Sequence, residues 1–441
     1  NPDDIANILC TTFNKMMVLI VTLADKHQAC PYCGFTAPKI KEYVTKEITH
    51  SALTTQKCII KYRARRYKCP CCGKTYYEFN PFVFKSQKIS ILTVHNILKD
   101  LKDFNETFTS VARRYHVSPT SVSTIFDNHV DIGRNPLPEI INFDEVYAFK
   151  SEKSKYVCVL LDFKKQIPVD VLPNRKKEYL LNYFQKIPLE ERKKVKYACS
   201  DMYEVYRDVV HKVFPEAKHL LDYFHLSQDF HKKMNEVRIK VMKGYKDDKA
   251  SDEYYLLKKF NWLLFKNPED EDKYGRLFDV ERERKYNSHF KSYMNYYDLR
   301  KKILEINNDL TICYSLKLEL VDFYSKSTID NAQVNLEHLI RSFIDTNIEE
   351  MIKFSNNLIN WKQEIINSFT IVDTEYKVEA DKGQVVVCNK KVNNAIIENR
   401  NKIIKCIKNN ANGYTNWSRF RNRVMYVLDP NTTFSLEPRE K

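Results

Sequence analysis

Hydrophobic and polar positions divide the chain into segments with different periods. Between residues 141 and 163, two apolar runs flank a charged turn, which predicts a β-hairpin. The stretch 166–173 predicts a third strand, and two more are predicted at Val195 to Cys199 and just before Asp222, each preceded by a helical pattern. Three antiparallel strands followed by alternating helices and strands form a mixed sheet with helices on both faces. This is the order of a ribonuclease-H-like core.

The later part of the chain is mainly helical by its periodicity. Apolar residues recur at helical spacing through 256–264, 316–323 and 336–343. An alternating stretch around Gly383 then predicts a β-hairpin, and an apolar-faced helix follows it. The sheet is therefore predicted to be interrupted by a long insertion before its last helix.

Three helices are predicted between residues 88 and 132. Ser118 and Pro119 mark the start of the third. The last two resemble a helix-turn-helix, in which Arg113 and Arg114 would contact DNA phosphates while the final helix faces the major groove. The groove-facing residues would be Thr120, Ser121, Ser123 and Thr124. A plain three-helix bundle explains the same apolar pattern.

Composition indicates a polyanionic partner. The 441 residues include 72 Lys and Arg against 57 Asp and Glu, a formal net charge of +15. Nucleic acid is the first candidate and an anionic membrane the second. The longest apolar run, nine residues from Met16, is too short to span a bilayer. We therefore expect a cytoplasmic protein without a membrane partner.

Cysteine spacing predicts a metal site near the N-terminus. Cys30 and Cys33 form one C-x-x-C pair, and Cys69 and Cys72 form another. Two such knuckles, each followed by Gly, are typical of a zinc ribbon with one structural zinc ion. An accidental pairing of reduced thiols is the alternative. Cys71, inside the second knuckle, is expected to point away from the metal.

A strand between the two knuckles has a basic face. Lys61, Arg63 and Arg65 alternate with apolar residues, and Arg66 adds a further cation. We expect this face to contact DNA phosphates. A solvated face would show the same pattern.

Acidic residues fall where the predicted sheet would bring them together. Asp144 lies in the middle of the first strand, and Asp201 follows the fourth strand. In such a sheet the first and fourth strands are neighbours. Glu398, on the late apolar-faced helix, supplies a third carboxylate. Three carboxylates can hold two divalent ions for phosphoryl transfer. An edge strand with a solvated Asp144 is the alternative. Cations on the late helix are also expected to contact DNA: Arg400, Lys402 and Lys405.

From Cys30 to Val427, the chain resembles the ISL-three family of bacterial insertion-sequence transposases, which are DDE enzymes. The matching stretches are CPYCG, RRYKCPCCG, FDEVYAFK, YACSDMYEVY, LDYFHL, FNWLLFKNPED and NNAIIENRNKIIKCIKNNANGYTNWSRFRNRV. The resemblance implies a DNA transposase that binds the terminal inverted repeats of an insertion sequence and joins them to target DNA. It also implies a homo-oligomer on DNA, associated with the bacterial nucleoid.

Site residues follow from the same resemblance. The catalytic triad falls on Asp144, Asp201 and Glu398, with two Mg²⁺ ions, or Mn²⁺, as cofactors. A D-x-x-H element falls on Asp222 and His225. Asp222 is either a metal ligand or, with His225, a hydrogen-bonded cap that organises the insertion, and we favour the cap. The family implies an all-helical insertion.

Two other functions fit parts of the pattern. A non-catalytic zinc-ribbon and helix-turn-helix regulator, derived from a transposase, would need no carboxylates in the sheet. A structure-specific nuclease on the same fold would need no sequence-reading modules before it. We expect a transposase with five parts: a zinc-ribbon DNA-binding domain (1–85), a helix-turn-helix domain (86–135), the first part of the catalytic core (136–225), a mainly helical insertion (226–390), and the last core helix with a C-terminal tail (391–441).

Overall fold

The structure is a computed structural model of the chain. It describes the following residues: 2–25, 29–51, 56–84, 87–149, 154–377 and 385–439. None of the helices in these ranges is long and apolar enough to cross a membrane.

A five-stranded sheet forms the N-terminal part, after a short 3-10 turn at Pro2–Asp4. Its strands are β1 (Ile5–Phe13), β2 (Met16–Leu23), β3 (Lys39–Thr49), β4 (Cys58–Lys68) and β5 (Thr75–Tyr77). The order is β1-β2-β4-β3, with β5 also paired to β4. Because β4 is central, its alternate residues Ile60, Tyr62 and Ala64 are buried. The residues between them carry the cations seen in the sequence.

The three helices predicted after this sheet are confirmed. They are α1 (Ile91–Asp100), α2 (Phe108–Arg114) and α3 (Pro119–His129). The Ser118 hydroxyl caps α3 by accepting a hydrogen bond from the amide of Ser121, and Pro119 occupies the first turn. His116 takes a left-handed conformation, with φ of 54°, in the turn between α2 and α3.

A second five-stranded sheet lies at the centre of the chain. Its strands are β6 (Ile140–Val146), β7 (Val157–Asp162), β8 (Pro168–Leu172), β9 (Tyr197–Ser200) and β10 (Lys218–Leu221). The order is β10-β9-β6-β7-β8. Strands β6, β7 and β8 are antiparallel neighbours, whereas β9 pairs parallel with β6 and β10 parallel with β9. The predicted mixed sheet is confirmed, and β6 is its central strand. The helices between its strands are α4 (Lys177–Gln185), α5 (Leu189–Arg192) and α6 (Glu204–Val213).

The long insertion is mainly helical and has its own hydrophobic core. Its helices are α7 (Tyr223–Lys243), α8 (Asp252–Lys259), a 3-10 segment (Asn261–Phe265), α9 (Tyr296–Glu305), α10 (Asn308–Lys326), α11 (Ala332–Ile344), α12 (Glu349–Asn360) and α13 (Lys362–Asn367). The expectation of an all-helical insertion is wrong in one region, where two small antiparallel pairs interrupt the helices. They are β11 (Glu271–Asp272) with β12 (Gly275–Arg276), and β13 (Lys285–Asn287) with β14 (Ser292–Met294). Gly275 and Lys291 have positive φ angles of 98° and 47°, which permit these turns.

The hairpin predicted before the last core helix is confirmed as β15 (Ile371–Lys377) paired with β16 (Val385–Lys391). Its turn around Gly383 lies outside the described residues. The chain then forms α14 (Ala395–Asn410) and α15 (Trp417–Leu428).

Helices cover both faces of the central sheet. On one face, Phe143 packs with residues of α4 and α6, including Phe184 and Tyr206. On the other face, Val146 and neighbouring strand residues pack against α14 and α15, including Ile404. Successive strand residues point to opposite faces, so Asp144 lies on the side covered by α14.

The C-terminal segment ties the helix-turn-helix to this central unit. Tyr426 of α15 belongs to the core formed by α1, α2 and α3, and its hydroxyl donates to the carbonyl oxygen of Leu98 at 3.0 Å. Arg423 is 1% exposed, and its guanidinium donates to the carbonyl oxygens of Asp103 and Glu106 at 2.8 and 2.7 Å. The sequence pattern did not indicate this connection.

Candidate active site

Two carboxylates meet at the carboxyl end of the central sheet. The parallel pairing of β6 with β9 aligns Asn142 with Cys199, and continuing the same register places Asp144 beside Asp201. Aligned residues of parallel neighbours face the same side of a sheet. Both carboxylates therefore lie on the α14 face.

Buried amides fix the start of α14 against β6. The Asn142 amide donates to Asn394 Oδ1 at 2.7 Å, and the Asn394 amide donates to the carbonyl oxygen of Phe143 at 3.1 Å. Both asparagines are fully buried. Asn394 is the N-cap of α14, so Glu398 in the first turn is held over the end of the sheet.

His225 brings the remaining acids together. Its Nε2 lies 3.9 Å from Asp222 Oδ2 and 4.0 Å from Glu398 Oε1. The candidate ligand atoms of Asp222, His225 and Glu398 all lie within 4.8 Å of one another. Asp144 and Asp201 are outside this compact group, but each is near enough for His225 to lower the pKa of its carboxyl. We call these five residues the carboxylate cluster.

The carboxylate cluster is electrostatically crowded. Burial, together with the nearby charges of Asp201 and Glu398, raises the pKa of Asp144 to about 7, while the Glu145 backbone amide and His225 oppose the shift. Burial likewise raises the pKa of Asp201 to about 6. The pKa of Asp222 is also raised, again chiefly by burial. A nearby cation would favour the ionised form of each of these groups.

These donors fit a hard divalent cation. Among the buried atoms without a hydrogen-bond partner in the described residues, three belong to the carboxylate cluster: Asp201 Oδ1, Asp222 Oδ2 and His225 Nε2. Buried polar atoms are costly unless they are paired or coordinate a metal. Carboxylate oxygens are the ligands that Mg²⁺ and Mn²⁺ prefer.

Asp222 also connects the insertion to the core. Its Oδ1 accepts a hydrogen bond from the backbone amide of Asn394 at 3.3 Å. Asp222 immediately precedes α7, the first helix of the insertion, and Asn394 starts the helix that carries Glu398. The side chain therefore links two elements that are far apart in the sequence.

Asn401 is a site residue that the sequence reasoning missed. Its amide donates to Asp144 Oδ2 at 2.7 Å, and it is 5% exposed. The backbone amide of Glu145 donates to the other oxygen of Asp144, also at 2.7 Å. Its spacing in the sequence could have identified Asn401, because Asn394, Glu398 and Asn401 recur at helical intervals on one face of α14.

The four cysteines of the predicted zinc site come together. Sγ of Cys30 lies 3.7 Å from Sγ of Cys72, and Sγ of Cys33 lies 3.5 Å from Sγ of Cys69. All four sulfurs are within 4.8 Å of one another. A tetrahedral zinc ion with bonds of about 2.3 Å would space them about 3.8 Å apart, so the cluster fits zinc. Cys71 is exposed and does not belong to this group of four.

The backbone of each knuckle turns back towards its sulfurs. Gly34 and Gly73 have φ angles of 75° and 70°, which favour glycine. Backbone amides of Cys72 and Cys71, together with the neighbouring thiols, lower the pKa of the Cys69 thiol, whereas the pKa of Cys33 is raised by burial and by the other thiols. The cluster therefore holds its first thiolate at Cys69. This environment favours a thiolate, the form that binds metal.

The basic strand β4 is less available to DNA than its sequence indicates. The Arg65 guanidinium donates to Glu78 at 2.8 Å and to the carbonyl oxygen of Leu23 at 3.0 Å, and the side chain is 11% exposed. Its predicted DNA contact is therefore corrected to a structural ion pair. Two other cations face acids on β3, Lys61 with Glu47 at 2.9 Å and Arg66 with Glu42 at 2.7 Å. Arg63 is exposed and lies over the Tyr43 ring, 4.2 Å from its centroid.

Two of the side chains predicted to contact DNA in the helix-turn-helix already have partners within the protein. Arg114 pairs with Asp100 and Glu106. Ser123 is 9% exposed and donates to the carbonyl oxygen of Thr120 in its own helix at 3.0 Å. Both side chains are therefore less available to DNA than the sequence indicates. The other residues predicted to contact DNA lie on the outer surface of these helices: Arg113, Thr120, Ser121 and Thr124. The Ser121 hydroxyl is 2.8 Å from the Ser118 hydroxyl.

The predicted cations of α14 differ in exposure. Arg400 is half-buried, and its Nε donates to the carbonyl oxygen of Gln166 at 3.3 Å. Lys402 and Lys405 are exposed, with Lys402 3.2 Å from Asn399 Oδ1. Two of the three cations therefore remain accessible beside the carboxylate cluster.

A buried carboxylate cluster at the end of a mixed sheet, with a helix-turn-helix before it, is typical of enzymes that cut and join DNA. The model of the ISL3 family of DDE transposases, described as transposase, matches residues 141–380, more than half of the chain. The chain belongs to this family and is a DNA transposase, an enzyme that binds, cleaves and transfers DNA with a divalent metal. It is 19% identical over 409 residues to the transposase for insertion sequence element IS1001 of Bordetella parapertussis, covering 92% of this chain and 90% of that protein.

The family match includes four members of the carboxylate cluster and ends before the fifth. Asp144, Asp201, Asp222 and His225 lie inside residues 141–380, whereas Glu398 lies beyond them. The assignment of Glu398 to the cluster therefore rests on its position on α14 and not on the family match.

Proposed function

We propose that this transposase cleaves and joins DNA by a two-metal mechanism, with Asp144, Asp201 and Glu398 as the catalytic triad on a ribonuclease-H-like core. The observation that carries the proposal is the convergence of these acids with His225 at one end of the central sheet. When bound, two Mg²⁺ ions, or Mn²⁺, activate a water or a DNA 3′-hydroxyl and stabilise the leaving oxygen.

The other residues of the site have distinct proposed roles. Asn401 orients Asp144 through its amide. Asp222 and His225 position Glu398. Asp222 holds the start of α14, and His225 lies between Asp222 and Glu398. Residues that contact a metal ligand without binding the metal themselves fix the orientation of that ligand.

The substrates proposed for the enzyme are the terminal inverted repeats of an insertion sequence and a target DNA. The four-cysteine cluster would hold a structural zinc ion, and the helix-turn-helix would read the ends through Thr120 and Thr124. Arg63, Arg113, Lys402 and other exposed cations would contact phosphates. Because an insertion sequence has two ends that must be held together, we propose a homo-oligomer on DNA.

The test is cleavage at the boundary of the element. The purified chain is incubated with duplex DNA that spans one element end, with Mg²⁺, and strand breaks are mapped at nucleotide resolution. Nicks at the element boundary that depend on the divalent ion are the expected result. Random nicking, or cleavage that persists in the presence of a chelator, would contradict the proposal.

Asn401 provides a prediction that the sequence reasoning would not have made. Asn401→Ala should reduce the cleavage rate by about 10- to 100-fold, because the carboxylate of Asp144 loses its orienting donor. Asn399→Ala is the matched control, since Asn399 is exposed on the same helix. Equal rates for the Asn401 variant and the wild type would remove Asn401 from the site.

Arg63 and Arg65 should respond differently although they are two residues apart. Arg63→Ala should weaken DNA binding and reduce the slope of log affinity against log salt concentration by about 1. Arg65→Ala should instead destabilise the N-terminal sheet by about 3 kcal/mol, because it leaves Glu78 buried without its partner. Salt titrations and thermal unfolding separate the two effects. If Arg65→Ala weakened DNA binding and Arg63→Ala instead lowered stability, β4 would face DNA through Arg65.

A further inference from the structure

A cavity of about 540 Å³ opens beside the carboxylate cluster. Asp222 and Glu398 form part of its wall, so a DNA phosphate held by the cluster would lie at its mouth. Aromatic, amide and ammonium side chains from four separate segments complete the wall. They include Phe224, Asn267, Tyr324, Lys391 and Asn393.

Phe224 presents its ring to this cavity. It is 50% exposed, although Tyr223 on one side packs against Tyr324 with ring centroids 3.8 Å apart. Its other neighbour, His225, belongs to the carboxylate cluster, and the two rings lie 5.7 Å apart. Single exposed apolar residues are common on protein surfaces. This one borders a charged site and lines a cavity whose walls are partly aromatic.

A second cavity that borders the cluster has a different character. Its volume is about 390 Å³, and the described residues that line it contain no aromatic ring apart from the imidazole of His225: Asp201, Met202, His225, Gln228, Asp229 and Lys232. A nucleotide strand that passes across the cluster would therefore meet both an aromatic cavity and a more polar one. The ammonium of Lys232 in the polar cavity suits the sugar-phosphate backbone, and the aromatic cavity suits a base.

We infer that the aromatic cavity receives the nucleobase next to the cleaved phosphate, displaced from the duplex, and that Phe224 stacks on this base. The inference rests on the proposed function, since that function places the phosphate at the cluster. Every base has a flat π-face, and enzymes that act within a duplex commonly extrude one nucleotide into a pocket. Asn267 and Asn393 also line the cavity and add amide groups to its wall. Phe224 is thus a positioning residue.

A cycle of one protein change and one DNA change tests the inference. The full chain, as wild type or Phe224→Ala, is given element-end duplex that is intact or lacks the base next to the cleaved phosphate. Each single change should slow cleavage about ten-fold, and the two together should slow it no further, because ring and base form one interaction. Phe224→Trp should retain the wild-type rate on intact DNA.

The affinity for the same four combinations, measured without divalent ions, should show the same non-additivity. Ile359→Ala is the matched control, because Ile359 is also 50% exposed but lies on α12. Independent losses from the two changes, or a Phe224→Ala chain that binds and cleaves like the wild type, would overturn the inference. Failure of the wild type to cleave the intact end would count against the proposed function, and the affinity cycle would still decide the role of Phe224.

Discussion

Alanine at Asp144, Asp201 or Glu398 should abolish cleavage and joining while DNA binding survives. Removing one ligand leaves the remaining carboxylates unable to hold both ions in register, and several kcal/mol of transition-state stabilisation are lost. A loss of this size corresponds to a rate decrease of at least about 10³-fold. Gel assays of strand cleavage, with binding measured on the same end DNA, provide the measurement.

Glu145→Gln is the matched control for the triad. Glu145 follows Asp144 but faces the other side of the sheet, where it pairs with Arg175. This variant should keep substantial activity. If Glu398→Ala also remained active while Asp222→Ala did not, the third carboxylate would be Asp222 and the assignment of Glu398 would be wrong.

Folding of the triad variants can be checked through pH. Burial raises the pKa of Asp144 from 3.8 to about 7, so its ionisation destabilises the fold progressively as the pH rises from 3.8 to about 7, and fully above that. In the metal-free protein, Asp144→Asn should therefore unfold at the same temperature as the wild type or a higher one at pH 8. A sharply lower unfolding temperature would indicate that the activity loss reflects misfolding.

Cys30→Ser combined with Cys69→Ser should remove the zinc ion and the binding of element ends. Each change deletes one thiolate from a different knuckle, so neither knuckle can contribute a complete pair. Structural zinc contributes about 10–16 kcal/mol to the folding of small zinc modules, and its loss unfolds them. Metal analysis should fall from about one zinc per chain to none.

Cys71→Ser controls for the loss of a thiol in the same loop. Cys71 is exposed and lies outside the group of four sulfurs. This variant should keep its zinc and its affinity for DNA. Full zinc retention in the double variant would place the metal elsewhere.

Periodic features of the fold were predictable from the sequence, because burial imposes a period. The alternation in β6 and the run of apolar residues in β7 gave the central hairpin, and the acids at Asp144 and Asp201 stood out against them. The repeated C-x-x-C spacing gave the cysteine cluster. In each case the local pattern itself carries the constraint.

Other features depend on partners that no local pattern reveals. Arg65 and Arg114 looked like free cations, yet Arg65 is largely buried against Glu78, and Arg114 pairs with Asp100 and Glu106. Asn401 acquires its role through Asp144, which is 257 positions away. The small hairpins of the insertion use strands of two or three residues, too short to show a period.

The dependence of the helix-turn-helix on Tyr426 has a consequence for biosynthesis. The hydroxyl of Tyr426 bonds to Leu98, which is 328 positions earlier in the chain. A ribosome therefore produces the helix-turn-helix long before it produces the residue that completes its core. Nascent chains carry this module without its last packing partner, which is synthesised only after the strands of the central sheet and α14. Under the proposed function, the module that recognises DNA ends and the site that cuts them are therefore completed at nearly the same moment of translation.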